Sequence, residues 1–329
     1  MLKARSSANK ILFFLIAILV AVLLVSCANG NSNDMSTDTD TVTDEVNPIS
    51  FTDALGRDVT IDRNPERVAA LIGSFADVWL LAGGNVCATA EDAWDDFGLE
   101  LDGAVSIGSA HSTNTEKLLS ASPNLVLASA STASNVNLLE TLESAGITVA
   151  YFDVDCFEDY LEMLHICTRI TGRDDLYNIN GLLVKEKIDA IKEDFNRLGL
   201  TDEERTVLLL RASSGFVKAK GSEGTILGEM LADLGCINIA DSDSSLLEDL
   251  SVEAVIRRDP RHVFVVTMGD DTDGAIDNFN AMIKDNPAWA TLDAIKNGRV
   301  HFMDRHLFNI KPNAKWWESY EQLCDIFKD

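Results

Sequence analysis

One long alternation of apolar and polar positions stands near the middle of the chain, at residues 173–199 (RDDLYNINGLLVKEKIDAIKEDFNRLG). Val184, Ile188, Ile191, Phe195 and Leu198 recur at helical spacing, which lines them up on one face of an α-helix. Lys185, Glu186, Lys192, Glu193 and Arg197 fall on the opposite, wet face. Asp174 and Asp175 suit the positive end of a helix macrodipole, and Gly199 suits a C-terminal cap. The pattern therefore predicts one helix over 173–200, spanning about 35–40 Å at 1.5 Å per residue. That is more than a small domain needs internally. It is either a long surface helix or a rigid strut between two lobes, and the similar patterns on its two sides favour the strut.

Those flanking patterns repeat strand, tight turn, helix. Residues 51–61 read as two short strands around Gly56. Residues 67–72 form a short apolar run ending in Gly73-Ser74, followed by a helical pattern through Val78, Leu80 and Leu81 to Gly83-Gly84. Similar runs recur at 124–129 (NLVLAS) and 149–153 (VAYFD). Beyond the strut they recur at 206–212 (TVLLLRA), 262–268 (HVFVVTM) and 300–304 (VHFMD). Strands alternating with helices predict an α/β fold: two lobes with mainly parallel sheets joined by one long interdomain helix. The boundaries are 49–172 for the N-terminal lobe, 173–200 for the bridging helix and 201–329 for the C-terminal lobe. In such sheets ligands gather at the carboxyl ends of strands.

An internal repeat ties the lobes together. Glu116 precedes Pro123, and Glu253 precedes Pro260, by the same interval, with an apolar pair at the same place between them. Each lobe is thus expected to present a glutamate in the first turn of an equivalent helix. Stabilisation of the helix dipole, a few tenths of a kcal/mol each, accounts for one such glutamate better than for a matched pair.

Composition adds the compartment. Lys3, Arg5 and Lys10 precede an apolar run from Ile11 to Val25, which is secretory in length and short for a membrane span. Leu24-Val25-Ser26-Cys27 resembles a bacterial lipobox, which implies cleavage before Cys27 and lipidation of its thiol. The alternative is an uncleaved anchor, and either reading exports the body. Residues 28–48 are rich in Ser, Thr, Asn and Asp and predict a solvated, disordered tether. A net charge of −26 without a basic, aromatic-interleaved stripe excludes general nucleic-acid binding. Six cysteines, with no CxxC or zinc spacing, read mostly as small buried hydrophobes. GxSxG, HExxH and GxxxxGK[ST] are absent, and Gly221-Ser222-Glu223-Gly224 is too short for a phosphate loop. A cell-surface hydrolase is accordingly the weaker alternative.

FTDALGRDVTIDRNPERVAAL, the paired Glu-to-Pro segments, the long middle helix and KPNAKWWESYEQL together resemble the bacterial ABC-transporter substrate-binding lipoproteins for ferric siderophores, haem or cobalamin. The resemblance spans Phe51 to the C-terminus. It implies a class III periplasmic binding protein fold, with ligand in the cleft between two lobes and limited lobe closure. It further implies a lipid-anchored monomer, no resident cofactor or metal, no catalysis, and membrane permease subunits as partners. By position, Glu116 and Glu253 match the family's permease-docking glutamates.

Cleft candidates come from loops that follow strands: Ser74, Phe75, Trp94 and His111 in the first lobe, and Arg211, Ser213, Lys218, Met268, His306, Phe308 and Lys311 in the second. A bulky, partly aromatic and often anionic chelate calls for flat rings and charge-assisted hydrogen bonds. Arg211, directly after an apolar strand, is the foremost candidate, although a nearby Asp could equally pair with it. Trp316 and Trp317 read as packing residues. His111 and His306 could ligate haem iron or a bare divalent cation, while His165, His262 and His301 read as structural. Without a histidine-rich loop, direct zinc or manganese binding is the lesser alternative.

Overall fold

The computed structural model describes residues 47–269 and 271–328, so the predicted leader, Cys27 and the tether up to residue 46 lie outside the described residues. The first lobe begins with an antiparallel hairpin of β1 (Ile49–Thr52) and β2 (Asp58–Ile61). There follow β3 (Val68–Ala70), β4 (Val86–Thr89), β5 (Val105–Ser106), a small ribbon of β6 (Gly108–Ser109) and β7 (Ser112–Thr113), then β8 (Leu125–Ser129) and β9 (Thr148–Phe152). The sheet order is β5-β4-β3-β8-β9, parallel throughout. The second lobe contains β10 (Thr206–Ser213), β11 (Phe216–Lys220), β12 (Ile237–Asn238), β13 (His262–Thr267) and β14 (Val300–Met303). Its order is β11-β10-β13-β14, with β12 also on β10, and only β11 runs antiparallel.

The helices that cover these sheets include α1 (Gly73–Leu81), α2 (Thr115–Ser120), α3 (Phe157–Thr171), α4 (Leu183–Arg197), α5 (Ile226–Asp233), α6 (Val252–Arg258) and α7 (Trp316–Ile326). Strand alternation sorts the core into layers. Ala69, Leu71, Val126 and Tyr151 lie in an outer cluster of the first lobe, and Leu208, Leu210, Val263 and Val265 in an outer cluster of the second. The opposite faces, with Val68, Ala70, Leu125, Val207, Leu209 and Phe264, belong to one cluster that runs through both lobes.

The middle segment departs from the single α-helix predicted over 173–200. It comprises an α-turn (Asp174–Tyr177), a π-helical turn (Asn178–Leu182) and α4. The physical reason lies at Asn180-Gly181. The Asn180 carbonyl accepts a hydrogen bond from the Tyr160 hydroxyl (2.8 Å) and its amide donates to the Leu81 carbonyl (2.8 Å). A Cβ on Gly181 would come within 2.8 Å of Leu161 Cδ1, so the backbone is pressed against α3 and the wider turn accommodates it. Beyond it the expected stripe holds: Val184, Ile188 and Phe195 are buried, with Ile191 and Leu198 partly so. The end of α4 meets second-lobe elements, with Phe195 edge-on to Phe327 at 5.2 Å and Lys192 paired to Asp233.

The conspicuous segment at 51–61 proves to be a clamp. The Asp53 carboxylate accepts hydrogen bonds from the Leu55, Arg57 and Tyr151 N–H groups and from the Arg57 guanidinium. Arg57 also donates to the Val149 carbonyl and lies over the Tyr151 ring, tying the hairpin to β9.

Candidate functional site

The carboxyl end of β10 carries Arg211. Every other residue of β10 between Val207 and Ala212 is buried and apolar, whereas Arg211 is half-buried and shares its face with Val207 and Leu209. That face looks toward the cluster common to both lobes. Among the described residues the guanidinium has no hydrogen-bond or ion-pair partner, and burial pushes its pKa down. Arg211 borders a cavity of about 790 Å³ together with Lys220, the loop 221–225, Glu229, Asp241 and Leu247. Arg211 and Lys220 also border a narrow crevice that reaches Phe308 and Asn309 after β14.

The loop on the cavity wall is tightly built. Asp241 accepts from the Ser222 N–H (2.7 Å), and Glu229 from the Gly224 N–H (3.0 Å). The Thr225 hydroxyl bonds back to the Gly221 or Ser222 carbonyl. Two carboxylates of the cavity are thus committed to holding backbone.

A second cavity, about 510 Å³, opens between the lobes. Asp77, Asp96 and Phe97 line it from one side, and Asp304, His306, Ile310, Lys311 and Lys315 from the other. Contacts cross beside it. Arg305 pairs with Asp96 (2.9 Å), and Asn313 donates to the Ser74 carbonyl (2.9 Å) and to Asp77 (2.8 Å). Burial raises the Asp77 pKa and lowers that of Lys311, the latter opposed by Asp155, Asp153 and Asp159.

Of the residues proposed from sequence, Arg211 and Lys218 lie together on the β10–β11 hairpin, and His306 and Lys311 line the interlobe cavity. Two aromatic candidates are corrected. Phe75 is fully buried with its ring edge-on to Phe152, and Phe308 is 2 % exposed, so both serve the core. Their apolar character, which suggested ligand contact, is consumed by packing. Ser74 is buried and contributes its carbonyl to Asn313, while the Ser213 hydroxyl accepts from the Gly215 and Phe216 N–H groups. Trp94 is half-buried against the core, His111 is exposed on the β6–β7 turn, and Met268 is exposed. His306 pairs with Asp304 at 3.2 Å. Among the described residues no group of three or more His, Cys, Asp or Glu is arranged to hold a metal ion.

The repeat is realised geometrically. Glu116 and Glu253 are exposed in the first turns of α2 and α6, which are capped by Asn114 and Ser251. Both segments reach their proline through a left-handed residue, Ser122 (φ 49°) and Asp259 (φ 42°), before β8 and β13. The left-handed residue ends each helix, and the proline after it cannot continue one.

Sequence reasoning missed Lys220, the 221–225 loop, Asp96, Arg305 and Asn313. Lys220 had a signal: in FVKAK the lysines alternate, which places both on one face of a strand. The interlobe set had none, because its members lie more than 200 residues apart. Trp316 packs at the core as expected, and Lys187 lies over the Trp317 ring at 4.0 Å. The five cysteines among the described residues are unpaired, and burial pushes the Cys156 and Cys236 thiols up to about 12. No helix among the described residues is long and apolar enough to cross a membrane.

Comparison with known proteins places these features. A family model for periplasmic binding proteins matches residues 68–307. The uncharacterized ABC transporter substrate-binding lipoprotein YvrC of Bacillus subtilis is 24% identical over 288 residues, covering 87% of each chain. The Fe(3+)-citrate-binding protein YfmC of the same species is 26% identical over 75% of each chain. The crystal structure of Staphylococcus aureus SirA complexed with staphyloferrin B superposes with a TM-score of 0.64 at 20% identity, over 84% of this chain and 96% of that one. That likeness shows the fold.

Proposed function

The chain belongs to the periplasmic binding protein family, and from that premise we propose that it is the extracytoplasmic receptor of an ABC importer. It captures an iron complex (a ferric siderophore or haem) or cobalamin between its lobes and delivers it to the permease, doing no chemistry on it. The observation that carries this reading is Arg211, a half-buried cation without a protein partner among the described residues, on the second-lobe wall of a cavity of about 790 Å³; the cavity lined from both lobes measures about 510 Å³. A desolvated cation of this kind is stabilised by an anionic guest through charge-assisted hydrogen bonds. The ferric-citrate relative supports an iron complex as that guest.

Delivery follows from the two exposed glutamates. Glu116 and Glu253, one per lobe, dock on basic residues of the permease, where charge complementarity sets orientation and on-rate more than affinity. Lipid on Cys27 and the tether of residues 28–48 hold the receptor at the membrane. Converting both glutamates (Glu116→Arg with Glu253→Arg) is expected to abolish uptake while leaving ligand affinity intact. Equal loss of affinity in the purified protein removes the docking role.

The direct test is tryptophan fluorescence titration of the full chain with a ferric hydroxamate, a ferric catecholate, haemin, cobalamin and zinc. Saturable binding of one of the first four is expected. Binding of zinc alone would replace this reading with direct metal capture, and silence throughout would remove it.

A further inference from the structure

Among the described residues the exposed large apolar side chains lie singly along the chain, with one exception. Ile179, Leu182 and Leu183 are 51 %, 38 % and 44 % exposed, and they follow at helical spacing where the π-helical turn runs into α4. None belongs to the buried stripe of Val184, Ile188 and Phe195, so here the wet side of the helix is apolar. A lone exposed leucine needs no explanation, whereas neighbouring ones form a patch, and patches mark protein or membrane contacts. The patch lies at a definite end of the first lobe. α1 leaves the carboxyl end of β3 and α3 that of β9, so Leu81, Ala82 and Thr171, at the far ends of these helices, stand at the amino ends of the strands. The bridging segment is fastened there. The Asn180 amide donates to the Leu81 carbonyl, the Thr171 hydroxyl donates to the Ala82 carbonyl (2.6 Å), and a Cβ on Gly83 would come within 2.9 Å of Leu176 Cδ1. The chain enters the lobe at the same end. Asn47, the first described residue, accepts from the Arg63 guanidinium (3.2 Å), and the Asn64 N–H donates to the Ile170 carbonyl (2.9 Å). Glu116 opens α2 at the end of that helix away from β8, and Asp96 and Phe97 of the interlobe cavity follow β4, so both lie toward the opposite end.

Building on the reading of Cys27 as a lipid anchor, we propose that this end is a membrane-contact face. Ile179, Leu182 and Leu183 dip into the headgroup region of the bilayer that holds the anchor, and the receptor rests there with its cleft turned outward. The length of chain before Asn47 supports the bilayer as occupant. A polar segment of about 20 residues has a random-coil span of roughly 25 Å. Such a tether holds the patch near the surface at an effective concentration of about millimolar order, so a contact too weak to retain a free protein is occupied here. The contact is apolar rather than electrostatic. Arg173 and Lys185, on either side of the patch, are paired with Asp175 and Asp189, and a chain of net charge −26 is repelled by anionic lipid. Docking of Glu116 and Glu253 on a permease then requires the receptor to turn over, which a tether of that span permits.

The test places the full lipidated chain in phosphatidylcholine vesicles whose acyl chains carry bromine, a short-range quencher of tryptophan emission. Ile179→Trp adds a reporter to the patch, and Met268→Trp adds one at an exposed position after β13, toward the carboxyl end of the strands. The emission added at 179 is expected to be lost in brominated relative to plain vesicles, and that added at 268 to be kept. Leu182→Gln with Leu183→Gln, in the Ile179→Trp background, should restore the emission while the chain still floats with the vesicles. Thermal melting checks that each variant is folded. Equal quenching at the two positions, or none at 179, in chains that float with the vesicles overturns the contact face while the anchor reading survives. Failure of the natural chain to float overturns both. A detergent-solubilised chain that sediments as a dimer, and as a monomer with both glutamines, gives the patch to a second copy and overturns the membrane assignment.

Discussion

His262 opens β13 with 7 % of its surface exposed. Its Nδ1 lies 3.0 Å from Nε2 of His301 on β14, and its ring centroid is 4.6 Å from that of Phe327. One imidazole donates to the lone pair of the other, an arrangement that two protonated rings cannot make. Burial first, then the neighbouring His301, Arg299 and Arg261, hold the His262 pKa down at about 4 against the usual 6.5. The folded protein thus keeps His262 neutral, while the unfolded chain takes up a proton below pH 6.5. Between pH 6.5 and 4 the unfolded state binds more protons, so this contribution is complete above pH 6.5 and is lost as pH falls through that window. At about 1.36 kcal/mol per pKa unit, the loss from pH 7 to pH 5 is about 2 kcal/mol. His262→Phe keeps a flat ring against Phe264 and Phe327 but cannot titrate, and half-buried His301 can turn to water. Urea unfolding of both proteins at pH 7, 6 and 5 measures the effect. The stability difference should move by about 2 kcal/mol in favour of His262→Phe between pH 7 and pH 5. A difference constant with pH would refute the reasoning.

Two further substitutions test the frame around the site. Asp53→Ala removes the acceptor of three backbone N–H groups and the ion-pair partner of the Arg57 guanidinium on one side, leaving that guanidinium its bonds to Glu143 and the Val149 carbonyl. It should cost about 3 kcal/mol or more in urea unfolding, and a loss below about 1 kcal/mol would show that the clamp is not a stability element. Gly228→Ala places a Cβ 2.4 Å from the Ser222 carbonyl oxygen, so the 221–225 loop must shift. We expect about 1–3 kcal/mol of destabilisation together with weaker chelate binding. Unchanged affinity in the folded variant would separate the loop from the ligand.

Element types were largely legible along the chain because local period and turn chemistry dictate them. The apolar runs at 206–212, 262–268 and 300–304 became the adjacent strands β10, β13 and β14, displaced by a residue at their ends. The Glu-to-Pro repeat became two helices with matching left-handed ends, each followed by a proline that cannot continue the helix. Local pattern failed where a remote surface intervened. Asn180 and Gly181 look like ordinary helix positions, and only α3 pressing on them opens the π-helical turn.

The site divides along the same line. By itself the sequence determined that Arg211 stands near the carboxyl end of an apolar strand, although the strand runs on through Ser213, and that one glutamate stands in the first turn on each lobe, because both depend on neighbours within a few residues. Only the tertiary structure decided that Phe75 and Phe308 belong to the core, since apolar character is the same whether a ring faces a ligand or a packed layer. It alone brought Lys220 beside Arg211 and Arg305 to Asp96. Charge and packing act through space, over distances that spacing along the chain does not encode.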